Sequence, residues 1–320
     1  MDPLSLGGDL DHFRGARVLI TGHTGFKGSW LSLLLKMAGA KVLGYALQPD
    51  SVPNNFSLLG LENHLDHVIG DVRDHNRLVR LFENFKPDFV FHLAAQALVK
   101  PSYVQPRETF EVNIMGTVNV LDCVRTQPSV KSLIVVTSDK CYENKEWVWG
   151  YRENDQIGGR DPYSASKGAA EIIFSSYLQS FFESGDTLGA GTVRAGNVIG
   201  GGDWSSDRVV PDLIRSIKEG GSIALRNPAS TRPWQHVLEP LSGYCKLAKA
   251  LHLEPKNFSG AWNFGPNATE VCSVETIISS LISKMEMGNY KTEVKCSSFH
   301  EANLLQLNCD KARDMLGWKP

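Results

Sequence analysis

Short runs of β-branched and other apolar residues alternate along the chain with longer stretches in which apolar residues recur at helical spacing. The alternation is typical of a parallel sheet that is covered by helices on both faces. It predicts strands at 17–21, 41–45, 67–69, 89–93, 132–137 and 191–194, and helices at 26–37, 74–85, 107–125 and 163–182. The predicted fold class is therefore α/β, with a Rossmann-type doubly wound parallel sheet.

The texture of the sequence changes after Arg194. Loops rich in Gly, Asn, Pro and Trp at 196–203, 226–234 and 260–267 separate helices predicted near 209–219 and 274–284. A chain of 320 residues also exceeds the roughly 250 at which one hydrophobic core stops growing. We expect a dinucleotide-binding domain at 13–194, rejoined by about 235–262, and a smaller C-terminal substrate-binding lobe formed by 195–234 and 263–320.

The helix predicted at 163–182 carries apolar residues around more than one face, which is more than a single amphipathic stripe. One interpretation is that a partner subunit covers the second face. A homodimer would then pair this helix with the one at 107–125 in a four-helix bundle. The alternative is that the C-terminal lobe of the same chain covers it.

Composition narrows the class of protein. The chain is 42% hydrophobic and 21% charged, and 33 Lys and Arg nearly balance 35 Asp and Glu, so bulk charge predicts no nucleic-acid or membrane partner. The six cysteines are scattered, with no spacing that suggests a metal site, and we expect reduced thiols. The start of the chain lacks the features of a secretory signal, so we predict a cytoplasmic protein whose segment up to Arg14 is loose.

A glycine-rich turn, T-G-x-x-G-x-x-G, begins at Thr21 where the first predicted strand meets the first helix. Glycines there allow a tight turn and let a pyrophosphate approach the helix N-terminus, where free N–H groups favour negative charge. A structural turn would explain such a motif in isolation, but its position in a βαβ unit favours a nucleotide site. The predicted cofactor-binding residues are Gly22, Thr24, Gly25, Phe26, Lys27 and Gly28.

Two further segments are placed to line the same site. Asp71 and Val72 follow the third strand, where they could meet an adenine edge, and small residues that leave room for a cofactor follow the fourth strand as Leu93, Ala94, Ala95 and Gln96. The acidic residue expected about 20 residues beyond the glycines is missing, and so is an Arg for a 2′-phosphate. Charge on the second strand therefore leaves the choice between NAD and NADP open.

Tyr163 and Lys167 form a Y-x-x-x-K pair at the start of a predicted helix, one turn apart on one face. An ammonium there can hold a nicotinamide ribose and lower the phenol pKa, so that the tyrosine acts as a base near neutral pH. The pair occurs by chance in many helices. Ser138 at the end of the fifth strand and the upstream glycines make the catalytic interpretation the stronger one.

Together these motifs resemble the extended short-chain dehydrogenase/reductases that act on nucleotide sugars. Longer strings are more specific and resemble the CDP-glucose 4,6-dehydratase branch of that family: T-G-H-T-G-F-K-G-S-W from Thr21, T-S-D-K-C-Y from Thr137, W-x-W-G-Y-R-E from Trp147, G-G-x-D-P-Y-S-x-S-K from Gly158 and R-A-G-N-V-I-G-G-G-D-W from Arg194.

The resemblance implies conversion of CDP-glucose to CDP-4-keto-6-deoxyglucose and water through internal hydride transfer by NAD, for cell-surface deoxysugar synthesis. The lack of a basic residue from Tyr45 to Asp50 agrees with NAD rather than NADP. No metal is expected. The resemblance assigns catalysis to Ser138, Asp139, Lys140, Tyr163 and Lys167, and substrate binding to Asn197, Arg208 and Arg232. His236 and His300 could reach the nucleotide, although packing or capping roles are favoured for both.

Three hypotheses follow from different classes of protein. The first is the dehydratase, in which Asp139 protonates the departing 6-hydroxyl and Lys140 assists removal of the C5 proton. The second is another nucleotide-sugar dehydratase, a 4-epimerase or a reductase of the same fold. The third is a non-catalytic Rossmann sensor, against which Ser138, Tyr163 and Lys167 argue. An epimerase needs neither Asp139 nor Lys140.

Overall fold

The computed structural model of the chain describes residues 8–183, 187–225, 227–267, 272–292 and 304–320. A seven-stranded parallel sheet forms its centre, with strands β1 (Arg17–Thr21), β2 (Lys41–Ala46), β3 (Asp66–Ile69), β4 (Phe89–His92), β5 (Ser132–Val136), β6 (Gly189–Ala195) and β11 (Gly260–Phe264). The strand order is β11-β6-β5-β4-β1-β2-β3. This arrangement confirms the predicted Rossmann-type fold class.

Helices account for most of the remaining chain. They are α1 (Phe26–Met37), α2 (Asn55–Leu58), α3 (His75–Phe85), α4 (Val99–Val104), α5 (Pro106–Phe110), α6 (Gly116–Thr126), α7 (Pro162–Tyr177), α8 (Val209–Lys218), α9 (Leu238–Leu253), α10 (Pro255–Phe258), α11 (Val274–Met285) and α12 (Asp310–Leu316). One π-helical turn, Glu111–Met115, joins α5 to α6, and another, Leu178–Phe182, extends α7. Short 3-10 turns lie at Leu10–Phe13, Leu61–Asn63 and Asp139–Cys141.

Six short strands lie outside the central sheet and pair two by two. They are β7 (Val198–Ile199) with β10 (Gln235–His236), β9 (Thr231–Arg232) with β12 (Cys272–Ser273), and β8 (Ile223–Leu225) with β13 (Tyr290–Thr292). Beside the last pair, α8 and α11 enclose a small separate core that includes Leu213 and Ile278. These elements build a wall beyond the carboxyl ends of the central strands.

Two hydrophobic cores sandwich the central sheet. On one face, Leu31 and Leu35 of α1 pack with Leu241 and Tyr244 of α9, and all four are fully buried. On the other face, the core includes residues of α3, α6 and α7, among them Phe174. Helices therefore cover both faces, as the alternating hydrophobic pattern predicted.

The segment 260–267 departs from the sequence prediction. It was expected to be a loop, but Gly260–Phe264 forms the edge strand β11 and pairs in parallel with β6. Trp262 and Phe264 in this strand are fully buried. Flanking glycines and asparagines give the segment the composition of a loop, and tertiary pairing overrides that local preference.

The N-terminal segment is also better ordered than predicted. Leu10–Phe13 forms a helical turn, and the fully buried ring of Phe13 lies 4.9 Å from that of Phe89 on β4. Asp9 forms an ion pair of 2.7 Å with Lys246 on α9. The expectation of a loose segment up to Arg14 is therefore wrong for residues 9–13, because an aromatic side chain anchors them in the core.

In the described part of the chain, no helix is long and apolar enough to cross a membrane. Its five cysteines are all free thiols. Within the same residues, no group of three or more His, Cys, Asp and Glu side chains could hold a metal ion.

Candidate active site

The site lies at the carboxyl ends of β1 and β4, where neighbouring connections leave the sheet toward opposite faces. In doubly wound sheets a ligand crevice forms at this point. Here the crevice is a cavity of about 1510 Å³ that extends from the glycine-rich turn to α8 and β8. The structure brings every predicted cofactor, catalytic and substrate residue to its lining.

The glycine-rich turn is shaped for close approach. Gly22 has a φ of +78°, and a Cβ there would lie 2.6 Å from the backbone nitrogen of Ala94. A Cβ on Gly28 would lie 2.0 Å from the carbonyl oxygen of Gly22. Gly25 caps the N-terminus of α1 without a side-chain hydrogen bond, so the helix presents its first N–H groups to the cavity. The geometry fits a pyrophosphate.

Hydrogen bonds hold the other cofactor residues in place. The Thr24 hydroxyl donates to the carbonyl oxygen of Leu47 at 2.9 Å, which fastens the turn to the end of β2. The carboxylate of Asp71 accepts from the backbone N–H and the guanidinium of Arg73, at 2.8 and 2.6 Å. The Gln96 side chain donates to Thr109 at 3.0 Å, so it orders its own loop.

The predicted catalytic residues come from two elements. Ser138 lies two residues beyond the end of β5, and its hydroxyl accepts a hydrogen bond from the backbone N–H of Lys140 at the start of the 3-10 turn. Tyr163 and Lys167 lie on the first two turns of α7. The Lys167 ammonium donates to the carbonyl oxygen of Val136 at 3.2 Å.

Asp139 is the most deeply buried side chain among these catalytic residues. It is 1% exposed, and its Oδ1 accepts a hydrogen bond of 3.0 Å from the Ser138 hydroxyl. The Lys140 ammonium lies 3.7 Å from the same oxygen. Its second oxygen, Oδ2, is buried with no hydrogen-bond partner among the residues that the structure describes. Since buried carboxylate oxygens are almost always paired, this oxygen marks a place for a ligand group.

The pKa values differ in part from expectation. Burial raises the pKa of Tyr163 to about 12, although a hydrogen bond from Ser138 and the charge of Arg208 act to lower it. The sequence predicted a phenol pKa lowered by Lys167, but that ammonium is directed to the Val136 carbonyl. Burial also lowers the pKa of Lys167 to about 8 and that of Lys27 to about 8. Both lysines therefore change charge near neutral pH.

The substrate residues line the far side of the cavity. Arg208 forms an ion pair of 2.9 Å with Asp203, whose side chain is 5% exposed. Arg232 donates to the carbonyl oxygen of Thr231 at 2.8 Å, and Asn197 accepts from the backbone of Gln235 at 3.1 Å. These contacts fix the loops that present two guanidinium groups to the cavity.

The structure describes His236 but not His300, the two histidines that could reach the nucleotide. The Nδ1 atom of His236 accepts a hydrogen bond of 3.3 Å from the backbone N–H of Leu238 at the start of α9, and His236 does not line the cavity. This is the capping role that the sequence favoured. His300 lies outside the described residues.

Sequence reasoning missed a buried polar network directly behind the catalytic residues. Glu171 on α7 and Arg194 on β6 form an ion pair of 2.7 Å, and each side chain is only 4% exposed. Glu171 follows Lys167 by four residues and so lies on the same helix face. That spacing was a signal that could have been read from the sequence.

The fold and this site define an extended short-chain dehydrogenase/reductase. Residues 19–320 match the family described as GDP-mannose 4,6 dehydratase, and the chain belongs to that family. It is 48% identical, over 98% of its own length and 88% of the relative, to the CDP-glucose 4,6-dehydratase of Salmonella typhimurium.

Solved structures agree on the fold. An epimerase from Methanothermobacter thermautotrophicus superposes with a TM-score of 0.82 at 22% identity, covering 98% of this chain and 89% of that one. A dTDP-glucose 4,6-dehydratase from Bacillus anthracis, solved in complex with NAD, gives a TM-score of 0.77 at 19% identity, covering 96% and 92%. These two similarities establish the architecture of the chain.

Proposed function

We propose that the chain is a CDP-glucose 4,6-dehydratase, which converts CDP-D-glucose to CDP-4-keto-6-deoxy-D-glucose and water with NAD as its cofactor. The observation that carries this proposal is the Asp139–Lys140 pair beside Ser138, with one buried carboxylate oxygen still lacking a partner in the described structure. Oxidation alone needs no such pair. The similarity to the Salmonella dehydratase supports the same reaction.

NAD fits the cavity because a Cβ at Gly22 or Gly28 would clash with neighbouring backbone, so these glycines allow the tight turn that leaves the N-terminus of α1 open to the cavity. The first N–H groups of α1 would bind its pyrophosphate, and Lys167 would bind its nicotinamide ribose. When bound, NAD would supply a hydride acceptor for the oxidation at C4 of the sugar and, once reduced, a hydride donor for C6.

Tyr163 takes the proton of the sugar 4-hydroxyl. The phenol pKa of about 12 shows that a protonated phenol is its resting form, so Tyr163 must lose a proton before it can act as the base. The Ser138 hydroxyl and Arg208 both act to lower that pKa. The structure therefore supplies the groups that stabilise a phenolate beside the 4-hydroxyl.

Asp139 and Lys140 carry out the elimination. A keto group at C4 makes the C5 proton acidic, and Lys140 takes up that proton. Asp139 donates a proton from its carboxyl group to the 6-hydroxyl, which leaves as water. Lys140 then returns its proton to C5, so that this residue ends the cycle unchanged.

The proton count leaves Tyr163 with one proton more and Asp139 with one fewer after each turnover. Ser138 connects the two, because its hydroxyl bonds to the phenol and donates to the carboxylate at 3.0 Å. A shift of protons along this chain, from phenol to serine to carboxylate, restores both residues.

The smaller lobe would bind the nucleotide part of the substrate. Arg208 and Arg232 present guanidinium groups suited to a diphosphate, and Asn197 supplies an amide close to the sugar. We propose residues 195–234 and part of 263–320 as this substrate-binding lobe, and 13–194 with 235–262 as the dinucleotide-binding domain. The expected boundary at 263 cuts β11, and Phe264, Ala312 and Trp318 pack in the core that α1 and α9 share, so these parts of 263–320 belong with the larger domain.

The protein is proposed to act as a homodimer. Pro106–Phe110, Glu111–Met115 and Gly116–Thr126 form one continuous helical rod beside α7, as expected for a four-helix bundle. Four apolar side chains on these helical segments are exposed: Phe110 at 37%, Met115 at 50%, Ile172 at 62% and Phe181 at 50%. A second copy of the chain would bury them. The free cysteines are consistent with a cytoplasmic location, where the product would enter deoxysugar synthesis.

The proposed reaction can be tested with purified protein, NAD and the glucose derivatives of CDP, dTDP, GDP and UDP in deuterium oxide. A 4,6-dehydratase yields a 4-keto-6-deoxy product with deuterium at C5, and the CDP sugar should react fastest. A 4-epimerase would instead yield the C4 epimer with no deuterium on carbon. Formation of the epimer, or preference for another base, would contradict the proposal.

A further inference from the structure

The proposed catalytic group has two halves on separate elements. Ser138, Asp139 and Lys140 lie on the segment that follows β5, whereas Tyr163 and Lys167 lie on α7. Their reacting atoms must stay in register, because a misplacement of about 1 Å can lower turnover by about a hundredfold. A device that fixes one half against the other is therefore required.

Glu171 supplies the helix end of such a device. It lies on α7 one turn beyond Lys167 and two turns beyond Tyr163, on the same face. Both carboxylate oxygens are fully used. Oε1 accepts from the Thr137 hydroxyl and from Nε of Arg194 at 2.9 Å, and Oε2 accepts from the Thr192 hydroxyl at 2.8 Å and from Nη2 of Arg194 at 2.7 Å.

The Glu171–Arg194 ion pair holds both ends of the catalytic segment, Ser138–Lys140. Thr137 precedes Ser138 and donates to Glu171. Tyr142 follows Cys141, and its phenol oxygen accepts a hydrogen bond of 2.7 Å from Nη1 of Arg194. Ser138, Asp139 and Lys140 thus lie between Thr137 and Tyr142, which are both hydrogen-bonded to the buried Glu171–Arg194 pair.

The network continues to β11, the edge strand of the central sheet. The Tyr142 hydroxyl donates to Oδ1 of Asn263 on β11 at 2.8 Å, and the Asn263 amide donates to the carbonyl oxygen of Tyr151 at 2.8 Å. Tyr142 and Asn263 are almost fully buried. These bonds connect the far end of the Ser138–Lys140 segment to β11 and to the backbone at Tyr151.

We propose that the Glu171–Arg194 pair is a positioning device that fixes the Ser138–Lys140 segment against Tyr163 and Lys167. Glu171 is a positioning residue in this account and touches no substrate. A buried ion pair is a weak source of stability compared with apolar residues of the same size, and specification of one arrangement is a better reason for its presence. The inference rests on the proposed function for its effect on turnover, whereas the positioning itself can be measured without it.

Two threonines offer a matched test. Thr137→Val and Thr192→Val each remove one hydroxyl that donates to the Glu171 carboxylate, and both side chains are buried. Only Thr137 is directly joined to the catalytic segment, since it precedes Ser138, whereas Thr192 lies on β6. A purely structural role predicts similar effects for the two variants, whereas positioning predicts different ones.

Hydrogen–deuterium exchange of the peptide that covers residues 137–142 is the first measurement, with no cofactor or substrate present. Thr137→Val should raise the deuterium uptake of this peptide, and Thr192→Val should leave it at the wild-type level. Tyr142→Phe, which removes the hydrogen bond at the other end of the segment, should raise the uptake as well. Equal uptake in both threonine variants would overturn the proposal.

Steady-state kinetics form the second measurement. Thr137→Val should lower kcat about tenfold at unchanged NAD affinity, while Thr192→Val stays within about twofold of wild type. If the wild-type protein does not convert CDP-glucose at all, the proposed function fails and the exchange result still decides the positioning. If the wild type is active but both variants have equal kcat, the positioning inference fails alone.

Discussion

The Ser138 hydroxyl donates a hydrogen bond of 3.0 Å to Oδ1 of Asp139, inside a cavity where the second oxygen of that carboxylate is unpaired among the described residues. The same hydroxyl also acts on the phenol of Tyr163, whose pKa it lowers, so its single proton can be donated to the carboxylate or to the phenol oxygen. Ser138 thus joins Tyr163 to Asp139. One group that gains a proton in the reaction is joined to one that loses a proton.

The link from Tyr163 through Ser138 to Asp139 predicts a specific kinetic defect for Ser138→Ala. Resetting of Tyr163 and Asp139 should become slow, so that one equivalent of product forms per active site before a slower steady state. The steady-state rate should fall by about a hundredfold or more, the usual range for a proton-transfer group. Rapid-quench measurement of product against time tests this.

Ser166→Ala is the control for Ser138→Ala. Ser166 is a buried serine on α7, and its hydroxyl donates to the backbone carbonyl oxygen of Tyr163 rather than to the phenol. This variant should keep a linear time course at near wild-type rate. Equal slowing of the first and later turnovers in Ser138→Ala would argue against the relay.

Activity should decline as pH rises through about 8. Lys167 has a pKa lowered by burial to about 8, so its ammonium is present below this pH and is lost above it. Loss of the charge removes the donor to the nicotinamide ribose. The pH profile of kcat/KM is the measurement.

Lys27 has a pKa near the same value and lies in the same cavity, so it must be distinguished from Lys167. Lys27→Met removes this second titrating amine. The decline of kcat/KM as pH rises through about 8, the alkaline limb of the profile, should persist in this variant, whatever its overall rate. A limb that disappears with Lys27 would show that the assignment to Lys167 is wrong.

NAD should bind more tightly than NADP. The cavity lining from Ala46 to Asp50 has no basic side chain, and the guanidinium of Arg73 is paired with Asp71 at 2.6 Å and lies 3.5 Å from Glu111. Within the described lining from Ala46 to Asp50, a 2′-phosphate would find no basic side chain. Calorimetry should give a Kd for NADP about tenfold or more above that for NAD, a difference of about 1.4 kcal/mol. Tighter binding of NADP would overturn the prediction.

The dimer prediction can be tested at its most exposed interface residue. Ile172→Glu places a charge on the apolar surface of α7, where Ile172 is 62% exposed, and should yield a monomer in light scattering at micromolar concentration. Leu253→Glu is the matched control, since Leu253 is 58% exposed at the end of α9. A monomeric wild type, or a dimer that tolerates Ile172→Glu, would exclude this interface.

Much of the fold could be predicted because its signals are local. The strand β1, the glycine-rich turn and the helix α1 lie within 21 consecutive residues, and the pattern defines their bounds without error. The strand β11 could not be found in this way. Its Gly-Ala-Trp-Asn-Phe sequence becomes a strand only because β6 offers an edge to pair with, and that contact spans about a fifth of the chain.

The site shows the same division between local and distant signals. Sequence motifs located Ser138, Tyr163 and Lys167, because their identities and spacing reflect the chemistry. The pKa of Tyr163 was predicted in the wrong direction, since burial depends on the surrounding fold. The pairing of Glu171 with Arg194 was also missed, because these residues lie 23 positions apart on different elements.

The most direct test of the central claim is the steady-state rate of 4-keto-6-deoxy product from CDP-glucose with Asp139→Asn and Lys140→Met. Each substitution keeps the approximate shape of the side chain and removes its proton-transfer function. Each should lower kcat by about two orders of magnitude or more while the NAD Kd stays at the wild-type value. Near wild-type rates in both variants would contradict the assignment of Asp139 and Lys140 to the elimination.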